Sequence, residues 1–495
     1  MTILLTIAAY FSLLLLVSRF TGKGGNDAFF RGNHESPWPL VAFGMIGASL
    51  SGVTFISVPG MVSAVDMTYL QMCLGFFFGY LLVAFVLLPL YYRYGLTSIY
   101  GFLASRLGED CHKTGAWFFL VSKLTGAAAR LYLVCLILQQ YAFGHTLVVG
   151  GYTLQVPFVA VVLITLLLIW LYTRKSGIKA LVWTDSLQTL CLIAALLLML
   201  WQAASMLGCS LPEAFRTVWN DPHSRMFEWD DWGSRQHFVK QFLSGIFIVI
   251  VMTGLDQDMM QKNLTCRNLR DGQKDLCCYG ALFFPVNFLF LVLGILVVLL
   301  YAHSGVPLPA KGDELLPQIV TSGLMGQGVQ VLFTIGIIAS AFSSADSALT
   351  ALTTTFCIDI LGIENDSTAN DARSVAQRET VRKRVHVGVI AVFVAFILAF
   401  KAIGSSSVLD AIYTLASYTY GPLLGLFAFA MTSRRHPLGW AVPVVCIAAP
   451  LSCYLLDMSM IHLYDYHFGY ELLMLNGLLV YAGLFLVTRL KGADC

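Results

Sequence analysis

Apolar stretches of about twenty residues recur thirteen times along this chain, and very few folds can absorb so many. A helix needs about 20 mostly apolar residues to cross the hydrocarbon of a bilayer. The stretches lie near 3–19, 38–63, 69–92, 114–144, 154–173, 180–206, 238–260, 277–302, 327–357, 385–401, 406–432, 437–456 and 469–489. The expected fold is therefore an all-α membrane protein with about 13 transmembrane helices, and its first partner is the lipid bilayer. Charge agrees, because only 12% of residues are charged where soluble domains carry about a quarter. No basic run is long enough to follow a track of phosphates, so nucleic acid is not an expected partner. The stretch from Ile3 to Val17 has no basic residue before it and no small-residue cleavage site behind it. It reads as a retained spanning helix rather than a signal peptide. The 12 cysteines lack metal-finger spacing, and Cys73, Cys135 and Cys191 sit within apolar segments as small hydrophobes.

Lysine and arginine placement sets the orientation. With the N-terminus outside and the C-terminus cytoplasmic, 22 of the 30 basic residues fall inside and six outside, leaving Lys123 and Arg130 in the membrane. Lys262, in this reading, belongs to an inner loop. The longest hydrophilic stretches, 207–237 outside and 358–384 inside, are too short for a separate catalytic domain. No GxSxG, HExxH or clustered metal-ligand spacing occurs, so an enzyme is not expected.

Polar groups in a spanning helix are costly unless they face protein or water, which makes each a functional candidate. The run ASAFSSADSALTALTTTF, 339–356, carries Asp346 and eight hydroxyls. Ser340, Ser343, Ser344, Ser347, Thr350 and Thr354 follow the spacing that keeps them on one helical face. Close helix packing accounts for the small residues, though not for Asp346. A second segment, FGMIGASLSGVTFISVPGM at 43–61, is interrupted by Gly44, Gly47, Gly52, Pro59 and Gly60. A break of this kind frees carbonyl oxygens and is tolerated at membrane depth only inside protein or beside a cavity. Carbonyls from a broken helix and hydroxyls from a neighbour are hard oxygens suited to a cation such as sodium. In GIKALVWTDSLQTLCLI, 177–193, Asp185 lies a couple of turns into the membrane. It reads either as a carboxylate paired with a nearby lysine or as a further cation ligand.

Six segments together resemble the sodium:solute symporters, which carry sugars, iodide, vitamins, monocarboxylates, proline and sialic acids. They are SGVTFISVPG at 51–60, YLQMCLG at 69–75, YRYGLTSIYGFLASRLG at 92–108, SGIKALVWTDSLQ at 176–188, DQDMMQKNL at 256–264 and SAFSSADSAL at 340–349. The resemblance implies the inverted-repeat fold of the bacterial leucine transporter. Residues 37–206 would form one five-helix repeat and 238–435 its inverted partner, separated by the outer loop 207–237. An extra N-terminal helix would occupy 1–36 and two C-terminal helices 436–495. The first helix of each repeat would be broken, the second break falling at MTGLDQDMMQ beside Gly254, Asp256 and Gln257.

By position, the resemblance implies a sodium site built from backbone carbonyls of Gly47, Leu50 and Ser340 and hydroxyls of Ser343 and Ser344. Some relatives hold a second sodium at positions corresponding to Asp185, Asp346 and Ser347. Here Asp346 replaces a serine; it either strengthens a cation site or, protonated, only donates a hydrogen bond. One or two sodium ions are thus the expected co-substrates. The resemblance also implies solute contacts at Ser49, Ser51, Thr54, Tyr69 and Gln71, positions that face substrate in sugar and sialic acid relatives, and Gln257 at the second break is added to them. Arg130 must pair in mid-membrane with Asp185, with Asp256 or with a substrate carboxylate. Sialic acid relatives place their arginine about one turn earlier, near Gly126.

The expected function is sodium-coupled symport of a small polar organic solute, an organic anion or a sugar acid such as a sialic acid, into the cell. Proton coupling through Asp185 and Asp346, or a neutral sugar or monocarboxylate as solute, is the alternative. A sensor that kept the transporter fold without transport is a further class. Short loops and the absence of an organelle-targeting segment point to a bacterial inner membrane.

Overall fold

Helical hydrogen bonding fails at two places where the sequence weakens the backbone ladder, and the rest of the molecule packs around them. The computed structural model describes residues 9–17, 35–139, 146–149, 152–155, 157–363, 372–403 and 408–489. In the first broken helix, Trp38–Ser49 stops at Leu50 (ψ 74°) and Ser51 (ψ 171°), and Gly52–Val65 continues at a bend of 58°. Gly47 and Gly52 bracket this turn, and glycine lowers the stability of helix on either side of it. In the second broken helix, Phe238–Val249 widens into a π turn at Ile250–Gly254. Extended Asp256 then starts Gln257–Asn263 at a bend of 69°. The interruption expected at MTGLDQDMMQ is present, and it is the sharper of the two.

Among the described residues, seven helices are long and apolar enough to cross a membrane, or nine if each bent pair is one span. Phe158–Leu171, Gly421–Thr432 and Leu472–Leu486 are apolar but shorter. Only 9–17 of the first expected span is described, and it is helical. Burial separates centre from periphery. The most apolar part of Gly326–Ile360 is 71% buried inside the protein, whereas Gln377–Ala402 and Ala441–Tyr464 bury only 17% of theirs. The serine-rich helix Gly326–Thr355 is thus central. The outer helices turn Val387, Val392, Leu451 and Leu455 outward, as a lipid-facing surface requires.

Three expected boundaries change. Residues 154–173 and 180–206 belong to one continuous helix, Phe158–Met206, with no loop between them. The connecting sequence contains one glycine, Gly177, and no proline, so nothing there interrupts the ladder. The segment before it forms a hairpin of β1 (Thr146–Val149) and β2 (Tyr152–Gln155), and the helix begins only after Pro157. The stretch 406–432 divides into Val408–Thr419 and Gly421–Thr432 at Gly421-Pro422, where proline removes an amide donor. Cys73 and Cys135 are buried free thiols, and Cys191 is half-buried.

Candidate functional site

The site forms where the long helix, the serine helix and both broken helices meet. Close approach depends on Gly44 and Gly47. A Cβ at Gly44 would stand 3.2 Å from Asp185 Cβ, and one at Gly47 would collide with the Thr189 side chain. Without side chains there, the long helix lies directly against the first broken helix and brings Asp185 to the break. Ser186 fastens the same contact by donating to the Leu40 carbonyl at 2.9 Å.

At the first break the turn uses some carbonyls and leaves others. Leu50 N–H bonds the Ile46 carbonyl at 2.8 Å and Ser51 N–H bonds that of Ser49 at 2.9 Å. The carbonyls of Gly47 and Ala48 take no part in these turn bonds, as expected at a helix C-terminus. Ser344 Oγ lies 3.4 Å from the Ala48 carbonyl. Ser340 Oγ is buried beside Gly52 and has no hydrogen-bond partner among the described residues. Ser343 donates to Asp185 Oδ1 at 2.7 Å. The two segments that carry the five residues expected to hold sodium therefore meet at the break through Ser340 and Ser344, while Ser343 faces the Asp185 carboxylate. Neutral oxygens with an unused buried hydroxyl suit a monovalent hard cation.

The second break is closed differently. Tyr91 donates to the Gly254 carbonyl at 2.7 Å and Tyr100 to that of Leu255 at 2.8 Å. Asp256 caps the following half-helix by accepting from Asp258 N–H at 2.9 Å. Its carboxylate also takes Lys123 Nζ at 3.1 Å and the Tyr420 hydroxyl at 2.7 Å. Lys123 reaches Asp258 Oδ2 at 2.7 Å. Lys262 reaches Asp185 Oδ2 at 2.8 Å and Asp258 Oδ1 at 3.7 Å. Asp185, Asp256, Asp258, Lys123 and Lys262 are all buried. They form one chain of ion pairs through the interior, in which removing either lysine leaves buried carboxylates uncompensated.

Lys262 is thus not in an inner loop. It is 1% exposed, on the second half of the second broken helix. Asp346 acts electrostatically on the same ammonium, and its Oδ1 accepts from Ser347 at 3.2 Å. Of the three residues expected to hold a second cation, Asp185 is thus paired with a lysine, Asp346 lies within its electrostatic reach, and Ser347 bonds Asp346. Sequence reasoning gave no role to Lys123, Asp258, Tyr279 or Tyr420. The signal available was Lys123 itself, an ammonium in mid-membrane.

A cavity partly continuous with solvent adjoins the first break. Ser49, Lys123, Arg130, Asp256, Tyr279 and Ser344 are among its lining residues. Ser49 and Tyr80 both hydrogen-bond the Tyr279 hydroxyl. Arg130 forms no ion pair with Asp185 or Asp256 among the described residues, since those carboxylates hold Lys262 and Lys123. It lies within electrostatic reach of Asp258.

The other expected solute contacts do not line this cavity. Tyr69 bonds Tyr413, a lining residue, at 3.0 Å and so stands behind the wall. Ser51 and Thr54 are buried at the start of the second half-helix. Gln71 is taken by the 207–237 segment, donating to the Gln236 carbonyl at 2.8 Å and accepting from Glu228 N–H at 3.0 Å. Gln257 is held by a loop, donating to the Thr97 carbonyl and accepting from Ile99 N–H, both at 2.9 Å. These amides are occupied by backbone.

The chain is similar to known proteins over most of its length. The model of the sodium:solute symporter family matches residues 29–437. The human sodium/iodide cotransporter is 25% identical over 85% of this chain, which spans 65% of that protein. The sodium/sialic acid symporter SiaT of Proteus mirabilis is 24% identical over 89% of this chain and 86% of its own. The fold is similar to that of a Na+-coupled sialic acid symporter in a substrate-bound outward-open state, with a TM-score of 0.81 at 19% identity over 99% of both chains.

Proposed function

This chain belongs to the sodium:solute symporter family, and on that premise we propose that it couples the entry of sodium to uptake of a small organic anion, a sugar acid of the sialic acid type. The observation that carries this reading is the adjacency of Ser344 at the first break to a cavity that also presents Arg130. One corner offers neutral oxygens for a cation, and the same cavity offers a guanidinium, the group best shaped for a carboxylate. Sodium is held by the carbonyls of Gly47, Leu50 and Ser340 with the hydroxyls of Ser343 and Ser344. Ser49 and Arg130 meet the solute directly, and Ser51, Thr54, Tyr69, Gln71 and Gln257 support the walls rather than touch it.

Coupling follows from linkage. When sodium and solute both stabilise one conformation of the broken helices, each raises the affinity of the other by the same factor. Downhill sodium entry then drives solute against its gradient. Repeats over 37–206 and 238–435, with the N-terminus outside, a cytoplasmic C-terminus and a bacterial inner membrane as the site of action, complete the reading.

Thermal stability of the purified protein, measured in sodium and then in choline against sialic acids, neutral sugars and monocarboxylates, tests it. Stabilisation by a sialic acid only in sodium is the expected result. Stabilisation by solute that is equal in choline would replace sodium with another driving ion.

A further inference from the structure

Both oxygens of Asp185 are already engaged, one by Ser343 at 2.7 Å and the other by the Lys262 ammonium at 2.8 Å. We propose that Lys262 is a built-in cation standing where a second sodium would bind, so that this chain binds one sodium ion, at the first break, and not two. The inference rests on the sodium-coupled reading above and fixes its stoichiometry.

Charge and space both favour it. Lys262 is 1% exposed and has Asp185, Asp258 and Asp346 as its acidic neighbours. Two of them, Asp185 and Asp346, are the carboxylates that a second metal ion would need. A sodium ion placed about 4 Å from the ammonium, at an effective dielectric of about 20, would lose roughly a thousandfold in affinity to repulsion. Around the cavity and the break, the carboxylates of Asp185, Asp256, Asp258 and Asp346 face the cations of Lys123, Lys262 and Arg130. The formal balance is one negative charge, which a single sodium ion neutralises. Lys262 is covalently attached to the half-helix Gln257–Asn263. It therefore supplies a positive charge that is never released with the cargo.

Equilibrium binding of radioactive sodium to the detergent-purified full chain, without solute, tests the count. The wild type is expected to bind one ion per protein. Lys262→Ala, which vacates the position and leaves Asp185 unpaired, is expected to bind two, while Lys262→Arg stays at one. Two ions bound by the wild type would overturn the proposal while leaving sodium coupling intact. A folded Lys262→Ala variant that still binds one ion would also overturn it. Should that variant not fold, Lys262→Gln, which keeps a polar side chain without the charge, is expected to bind two, and one ion bound by it would overturn the proposal. No sodium bound by the wild type would overturn the sodium-coupled reading, and the assignment of Lys262 with it.

Discussion

Ser343 gives its hydroxyl hydrogen to Asp185 Oδ1 at 2.7 Å, and this fixes where its lone pairs point. A hydroxyl has one donor and two acceptor sites, so a hydrogen committed to a carboxylate leaves oxygen lone pairs for a cation. In Asp185→Asn the amide can donate instead and turn the hydroxyl round. Sodium affinity is expected to fall about tenfold or more. Stability is expected to fall by about 3–5 kcal/mol because Lys262 loses its partner. A sodium titration followed by thermal unfolding reads both; unchanged half-saturation would remove Ser343 from the site.

Ser344 approaches the Ala48 carbonyl across the first break. Ser344→Ala deletes one oxygen without disturbing the ion pairs behind it. The sodium concentration for half-maximal uptake is expected to rise about tenfold, the equivalent of about 1.4 kcal/mol. Ser344→Thr, which keeps the oxygen, is expected to retain most of the affinity. Equal loss in both variants would point to packing instead.

Arg130 lines the cavity, and Lys123 and Lys262 satisfy the carboxylates expected to hold it. Arg130→Gln is expected to weaken binding of a sialic acid by about 1.5–3 kcal/mol, the range for hydrogen bonds to charged groups. Binding of the methyl ester, which has no carboxylate charge, should change little. Calorimetry on the pair of ligands separates the two; parallel losses would place the solute carboxylate elsewhere.

One sodium ion moving with a monoanion carries no net charge. Solute accumulation in proteoliposomes is therefore expected to follow the sodium gradient and to respond less than about twofold to an imposed potential. A second sodium would add about 2.3 kcal/mol per 100 mV, or about fiftyfold in accumulation. A potassium diffusion potential of either sign makes the comparison.

Gly47 has no room for a methyl group because Thr189 occupies that space. Gly47→Ala is expected to destabilise the protein by about 1–3 kcal/mol through overpacking, and Thr189→Ala in the same chain is expected to restore part of the loss. Thermal unfolding of the single and double variants decides the matter. Absence of rescue would mean that the glycine serves the turn rather than the contact.

Much of this architecture is legible in the sequence because hydropathy reads membrane segments well. The serine helix announces itself by eight hydroxyls and Asp346 in an apolar run, and the first break by its glycines. Lys262 is hidden by the same logic. It follows an apolar stretch and sits near Arg267, Arg270 and Lys274, so charge placement assigns it to a loop. Only the 69° bend at Leu255 and Asp256 folds it back to Asp185. Gln71 is expected among the solute contacts because its position faces substrate in relatives, and Gln257 because it lies at the second break. Their real partners are backbone groups of loops far away in sequence. The uninterrupted run from Phe158 to Met206 was illegible for the opposite reason, since its three basic residues resemble a loop while their backbone stays helical.

The tyrosine hydroxyls on Gly254 and Leu255 make the two breaks unlike in kind. At the second break the phenols of Tyr91 and Tyr100 each occupy one acceptor site of a bare carbonyl and tie the turn to neighbouring segments. At the first, the Gly47 carbonyl takes no part in the turn bonds and the Ala48 carbonyl meets Ser344 at 3.4 Å. On the sodium-coupled reading proposed above, the first break is the one left to respond to an ion, and the second is anchored. An event at the first can then move a frame that the second holds still.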